Sequence, residues 1–280
     1  VDALLQPLTD PYLQRALVAG VLVAAGAAAV GTFVVLRGLA FIGDALAHGV
    51  LPGIAVALIA GAPGMAGALV GAAAMIGGVT LVTRATRLSG DTAIGLLFVG
   101  MLALGVVIVS RSDTFTGDLT RILFGDVLGI AWADVWTQAA VTAAVLVATL
   151  LCARPFLLLS MDPETATVAG FPAGRYHALM LALIAVTVVV SFQAVGTLLV
   201  FGMIVAPPAT AALLSRRVGA TMALAAAIGA ASVWLGLAAS YRWDLAAGAS
   251  VVLVQIAVFF AVLAGVGLRR ALAAPAGVPA

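Results

Sequence analysis

Nine apolar stretches divide the chain, at about 13–35, 39–60, 63–83, 91–110, 132–153, 176–193, 195–214, 219–240 and 248–267. Each approaches the roughly 20 apolar residues that carry an α-helix across a bilayer. Short segments separate most of them, and two longer connections follow the fourth and fifth. The pattern predicts an all-α integral membrane protein of about nine transmembrane helices (eight to ten), a single transmembrane domain over 1–280. The sixth and seventh stretches meet at "SFQAVG", 191–196, where a tight turn or a partial merger would join them.

Arginine placement orients this array. With the N-terminus outside and the C-terminus cytoplasmic, Arg37, Arg84, Arg87, Arg154, Arg175, Arg216, Arg217, Arg269 and Arg270 all fall inside. Arg15, Arg111, Arg121 and Arg242 fall outside. The opposite orientation of nine spans would reverse the bias. The first segment, "VDALLQPLTDPYLQRAL", lacks the charged-then-apolar layout of a signal peptide and is expected to be a short interfacial lead-in.

Composition narrows the function classes. Hydrophobic residues make up 64% of the chain and charged residues 9%, against about 25% charged in a soluble domain. All basic residues are Arg. A Walker A loop sets a Lys on the phosphates, so this chain carries no P-loop ATPase of its own. A net charge of +2 leaves no nucleic-acid footprint. Cys152 stands alone, which excludes a disulfide framework or a thiolate metal site within one chain. Seven scattered Met form no soft-metal relay. Gly67 and Gly71 have the spacing that lets two helix backbones approach.

Two connections have patterns of their own. In "RSDTFTGDLTRILFGDVLGIAW", 111–132, the apolar residues Leu119, Ile122, Leu123, Val127 and Ile130 share a helical face, which predicts an external interfacial or partly re-entrant helix. In "LLSMDPETATVAGFPAGR", 158–175, helix punctuation is complete. Asp162 suits the N-cap, Pro163 the first helical position and Glu164 the positive end of the helix dipole. Gly170 suits the left-handed C-terminal position, and Pro172 blocks continuation. The expected product is a cytoplasmic helix of about two turns, roughly 10 Å long. It is either an ordinary loop helix or one that docks in a groove on another protein.

The polar pair least expected in this pattern is in "FIGDALAHGV", 41–50. Asp44 and His48 are four residues apart, so they share a helix face about 6 Å apart along the axis. An Asp at mid-membrane costs about 2.5–3.5 kcal/mol on the insertion scale. Pro52 and Gly53 follow, predicting a kink or break beside the pair, a recurring feature of substrate sites. Three readings fit: a structural hydrogen bond, a proton relay, or metal coordination by a carboxylate oxygen and an imidazole nitrogen. Two ligands are few, and a two-fold dimer would double them. No H-E-x-x-H or G-x-S-x-G motif is present. Gly43–Asp44 and Gly125–Asp126 are similar to the glycine-aspartate setting of intramembrane aspartyl proteases, but Asp126 falls in an external connection.

"FVVLRGLAFIGDALAHGVLPGIA" (33–55) resembles the signature of the permease subunits of zinc- and manganese-type ATP-binding-cassette importers. The resemblance continues through "RLSGDTAIGLLFVGMLALGVVI" (87–108), "LFGDVLGI" (123–130), "LLSMDPETATVAGFPAG" (158–174) and "AVGTLLVFGMIVAPPATAALL" (194–214), covering roughly 11–268 in consistent order. It implies a homodimeric all-helical permease of the bacterial plasma membrane, a separate cytoplasmic ATPase subunit that uses ATP, and an extracytoplasmic metal-binding protein. It implies a transported divalent metal, Zn²⁺ or Mn²⁺, with no permanently bound cofactor. It places Asp44 and His48 on the metal path, and makes 162–171 the coupling helix that meets the ATPase, with Asp162, Pro163, Glu164, Ala169 and Gly170 among its residues. Departures from the family pattern are small. Ala47 stands where Ser is frequent, so a supporting hydroxyl is missing, and Gly49 replaces Ala or Ser. A double proline, Pro207–Pro208, replaces one, and is expected to sharpen a break in that span near the path. Metal-chelate permeases and ion-coupled secondary transporters are the competing classes.

Overall fold

The computed structural model describes residues 10–111 and 129–273. Over those residues the chain forms twelve helices. The first six are α1 (Pro11–Leu36), α2 (Phe41–Gly49), α3 (Leu51–Ile59), α4 (Gly64–Ala85), α5 (Gly90–Ser110) and α6 (Trp132–Leu151). The rest are α7 (Ala153–Met161), α8 (Pro163–Val168), α9 (Ala173–Val195), α10 (Thr197–Leu214), α11 (Val218–Trp243) and α12 (Ala247–Ala273). Eight stretches are long and apolar enough to cross a membrane, with α2 and α3 together counting as one. The apolar run of α10, Leu199–Leu214, is shorter. These correspond in order to the nine apolar stretches of the sequence. The external helix predicted within 111–132 lies largely outside the described residues.

Local signals start the helices where expected. Asp10 caps α1 by accepting from the Tyr12 N–H at 2.9 Å, with Pro11 at the first position. Ser89 caps α5 through the Thr92 N–H. Asp134, in the first turn of α6, accepts from the Ala131 N–H at 3.0 Å. The α9–α10 junction is one residue, Gly196, at φ +81°. A side chain there would be strained in that left-handed region, which is why a junction this tight falls on glycine.

Helix α1 is the centre of the bundle, buried along most of its length, while α5 and α12 expose most of theirs. Lipid is as apolar as leucine, so helices in a bilayer associate by close packing rather than by a hydrophobic drive. The residues follow: α1 buries Ala16, Ala19, Gly20, Val23, Ala24, Ala27 and Ala28. Gly20 lies against Val233 of α11, and Gly229 of α11 lies against Ala24. A buried polar network ties α1, α6 and α9. The Gln138 amide donates to Thr142 Oγ1 (3.1 Å) and Ser191 Oγ (3.2 Å), and the Thr142 hydroxyl donates to the Leu22 carbonyl.

The two ends of α1 differ in charge environment. Near its start, the Arg15 guanidinium lies 5.5 Å from the Tyr12 ring and 6.0 Å from the Trp132 ring, at the start of α6. Past its end, Arg37 meets His177 in the first turns of α9, and Arg84 from the end of α4 reaches Gly174. Arg15 thus lies at one end of α1, and Arg37 with Arg84 at the other.

One helix was not visible in the sequence. The sequence predicts one span over 132–153 and the next helix only from Asp162. Instead α6 stops at Leu151 and α7 begins at Ala153, packing Phe156 and Leu159 inward. Pro155 in its first turn is compatible with a new helix start.

Candidate metal path

Helix α2 carries the pair. From Ile42 to Gly49, every residue is buried except Asp44 and His48. Their side chains keep 29% and 22% of their surface open. The helix therefore buries its apolar positions on all sides and turns one polar face toward open space.

The contacts set the imidazole tautomer. His48 Nδ1 lies 3.1 Å from the Asp44 carbonyl oxygen and 3.3 Å from Asp44 Oδ1. Both are acceptors, so Nδ1 carries the proton and donates. In the neutral ring Nε2 then carries the lone pair. A histidine whose other ring N–H is held by a carboxylate or carbonyl is the usual arrangement at metal sites. The Phe98 ring of α5 meets His48 edge to face at 5.7 Å, restricting the imidazole plane. Asp44 keeps its second oxygen, Oδ2, outside these contacts. Among the described residues no group of three or more His, Cys, Asp or Glu converges, so one chain offers a carboxylate oxygen and an imidazole nitrogen here.

The break beside the pair falls at Val50, two residues before Pro52; Leu51 opens α3, and Pro52 and Gly53 lie in its first turn. Pro52 has no N–H, so the carbonyl of His48, four residues back, loses its helical donor. Helix α4 supports the break with its two spaced glycines. Gly67 faces Gly53 backbone to backbone, and a methyl on Gly71 would come within 2.9 Å of Val50 Cα.

This geometry sits in a chain with clear relatives. A manganese transport system membrane protein of Halalkalibacterium halodurans is 38% identical over 254 residues, covering 91% of this chain and 87% of the relative. A probable iron transport system membrane protein of Haemophilus influenzae is 36% identical, covering 94% of this chain and 97% of that protein. The solved structure of PsaBC from Streptococcus pneumoniae in complex with Fab has a chain that superposes with a TM-score of 0.83 at 33% identity, over 94% of both chains. The model of the ABC 3 transport family matches residues 9–265. The chain belongs to the ABC 3 transport family. With eight membrane-length apolar helices among the described residues, it is a multi-pass protein of the bacterial plasma membrane.

The segment for which the resemblance implies ATPase contact is folded as its punctuation requires. The Asp162 carboxylate accepts from the Thr165 hydroxyl (2.8 Å), the Thr165 N–H (2.9 Å) and the Glu164 N–H (3.2 Å). The Thr165 hydroxyl, then the two N–H groups, hold this carboxyl below the usual range. Pro163 opens α8, Glu164 sits in its first turn, and Ala169 is the C-cap. Gly170 takes φ +87°, and the Phe171 N–H returns to the Ala166 carbonyl, the closing bond of a Schellman turn. The helix is shorter than expected, Pro163–Val168. Val168 at its end and Met161, the last residue of α7, are both exposed.

Pro207–Pro208 require a correction. Both lie inside α10, which runs from Thr197 to Leu214 without interruption. The break in this part of the chain is at Gly196 instead. Proline fits the helical φ, and its cost is a lost N–H and a push against the carbonyl four residues back. Gly31 of α1 meets the Ile204 carbonyl directly. The crowded group is accommodated by a neighbour rather than by breaking the helix.

The second histidine received no role from the sequence. His177 Nδ1 lies 2.8 Å from Arg37 Nη1, across 140 positions. Nothing local in either segment signals that meeting.

Proposed function

We propose that this chain is the membrane permease subunit of an ATP-driven importer for a divalent transition metal, Mn²⁺ before Zn²⁺. The observation that carries the reading is the Asp44–His48 pair, the polar face of an otherwise buried half-helix beside a break, in a chain of this transport family. Carboxylate and carbonyl oxygens suit Mn²⁺, and imidazole is acceptable to it. The names of the manganese transport relatives support the same order.

Asp44 Oδ2 and His48 Nε2 are the ligands offered, with Asp44 Oδ1 and its carbonyl orienting the ring. Two protomers around a two-fold axis would contribute two such pairs. Incomplete coordination by one chain favours passage, because a conducted ion must leave as readily as it enters. A cytoplasmic ATPase subunit supplies the energy and meets the protein at α8. An extracytoplasmic metal-binding protein delivers the ion. The ligand pair itself supports a bare ion over a chelate, which would need no such pair.

The test is Mn²⁺ uptake into vesicles holding the permease, its ATPase and its binding protein. Asp44→Ala with His48→Ala should abolish ATP-dependent uptake at normal expression. Undiminished uptake by that double variant would remove the pair from the path. Uptake by the native permease alone, without ATPase, would make it a secondary transporter.

A further inference from the structure

Arg37 and Arg84 converge on His177 at the end of the bundle assigned to the cytoplasm. Arg37 Nη1 is 2.8 Å from His177 Nδ1 and reaches Met180 Sδ at 4.0 Å. The Arg84 guanidinium lies 3.6 Å from the place a Gly174 Cβ would take. Among the described residues the one acid–base contact within ion-pair distance is Asp44–His48, so neither arginine has a carboxylate there. Arg37 is a donor only, so His177 Nδ1 is the unprotonated acceptor. A guanidinium held by a neutral imidazole and a thioether sulfur is tied far less firmly than one in a carboxylate fork.

The partners come from the link between α1 and α2 and from the start of α9, the helix that follows α8. Arg37 starts the short link into α2, and Asp44 stands in the first turn of that helix. His177 is in the first turns of α9, directly after the α8 turn. Four aromatic rings join the units behind the pair. Phe171, just past α8, meets Tyr176 at 5.6 Å; Tyr176 meets Phe156 of α7 at 6.3 Å; Phe156 meets Phe33 of α1 at 5.4 Å. Phe33 is one turn before Arg37, and Tyr176 is next to His177. A displacement of α8 therefore bears on both sides of the Arg37–His177 contact.

We propose that Arg37 and His177 are positioning residues that latch the cytoplasmic end of the metal path, and that movement of α8 parts them. The latch rests on the transport function proposed above. While it is closed, Arg37 and Arg84 present two uncompensated positive charges to a divalent cation leaving Asp44, and the low dielectric strengthens that repulsion. Parting the pair lets the link before α2 swing away and removes the barrier.

The experiment uses the complete complex in vesicles, with Mn²⁺ as probe. On a Cys152→Ser background, Arg37→Cys and His177→Cys are joined by a short reducible bis-methanethiosulfonate. Linking should lower ATP-driven uptake at least tenfold, and reduction should restore it. Separately, His177→Leu should raise Mn²⁺ leak without ATP several-fold, and His177→Gln, which keeps an acceptor, should leak less than His177→Leu. Uptake by the linked pair at the unlinked rate would overturn the latch, as would equal leak from the Leu and Gln variants. If the native complex takes up no Mn²⁺, the transport reading falls and the latch with it; failure confined to the linking and leak measurements removes the latch alone.

Discussion

Gly31 of α1 and Pro208 of α10 are fitted to each other. A methyl group on Gly31 would come within 2.9 Å of the Pro208 ring and would strike the Ile204 carbonyl, four residues before that proline. The absent side chain gives that carbonyl room, so α10 keeps its helix through two prolines. Gly31→Ala should therefore destabilise the protein by about 1–3 kcal/mol, the range for overpacked cores. Thermal unfolding in detergent measures it, and Pro208→Ala added to Gly31→Ala should recover part of the loss. An unchanged transition in Gly31→Ala would show that the contact relaxes freely.

The same contact shows where sequence reading stops. Spans, their order and the cap at Asp162 were legible because hydropathy and that cap act within a few residues of themselves. The turn at α8 was legible for the same reason, through Pro163 and Gly170. The expected break at Pro207–Pro208 failed because a residue 177 positions away from Pro208 decides it. Asp44 and His48 could be paired by spacing alone, but Phe98 and the Arg37–His177 contact depend on packing between distant helices. Helix α7 was hidden because Arg154 and Pro155 read as the end of a span, whereas they fall in the first turn of a new short helix.

Gly67 and Gly53 support a second packing prediction. Each faces the other's backbone carbonyl, so neither helix can retreat by rotating a side chain. Gly67→Val should cost about 3 kcal/mol or more, since both backbones must shift. It should also reduce metal uptake more than the stability loss explains, because the Val50 break is displaced. Comparing uptake per folded complex separates the two effects. Full uptake per folded complex would mean that the break can move without consequence.

The chemistry of Asp44 and His48 predicts how metal preference shifts. Asp44→Asn keeps the shape but removes the charge and weakens oxygen ligation. His48→Asp replaces the imidazole nitrogen by oxygen. Mn²⁺ prefers oxygen ligands, whereas imidazole suits Zn²⁺ better. Asp44→Asn should lower Mn²⁺ uptake by about tenfold or more, about the effect of losing one good ligand interaction. Among variants that still transport, His48→Asp should raise the Mn²⁺-to-Zn²⁺ uptake ratio. A ratio that does not respond to either change would place selectivity outside this pair.

Asp162 makes the last prediction, because its cap acts on α8 alone. The carboxylate holds two N–H groups and one hydroxyl at the start of a helix of six residues. Loss of that cap leaves most of the first turn without acceptors. Asp162→Ala should weaken association with the ATPase subunit by about fivefold, in line with ordinary cap effects. Asp162→Asn, which can still cap, should lie between. The sign with pH follows from the lowered carboxyl. A depressed folded-state value means the cap's contribution is complete above the unfolded value, about 3.9, and is lost as pH falls through the folded one. Across pH 5–8 the difference between native and Asp162→Ala complexes should therefore be constant. A difference that grows or vanishes within that window would assign the effect to another group. Pull-down of the ATPase at several pH values, with the native bundle confirmed intact, decides it.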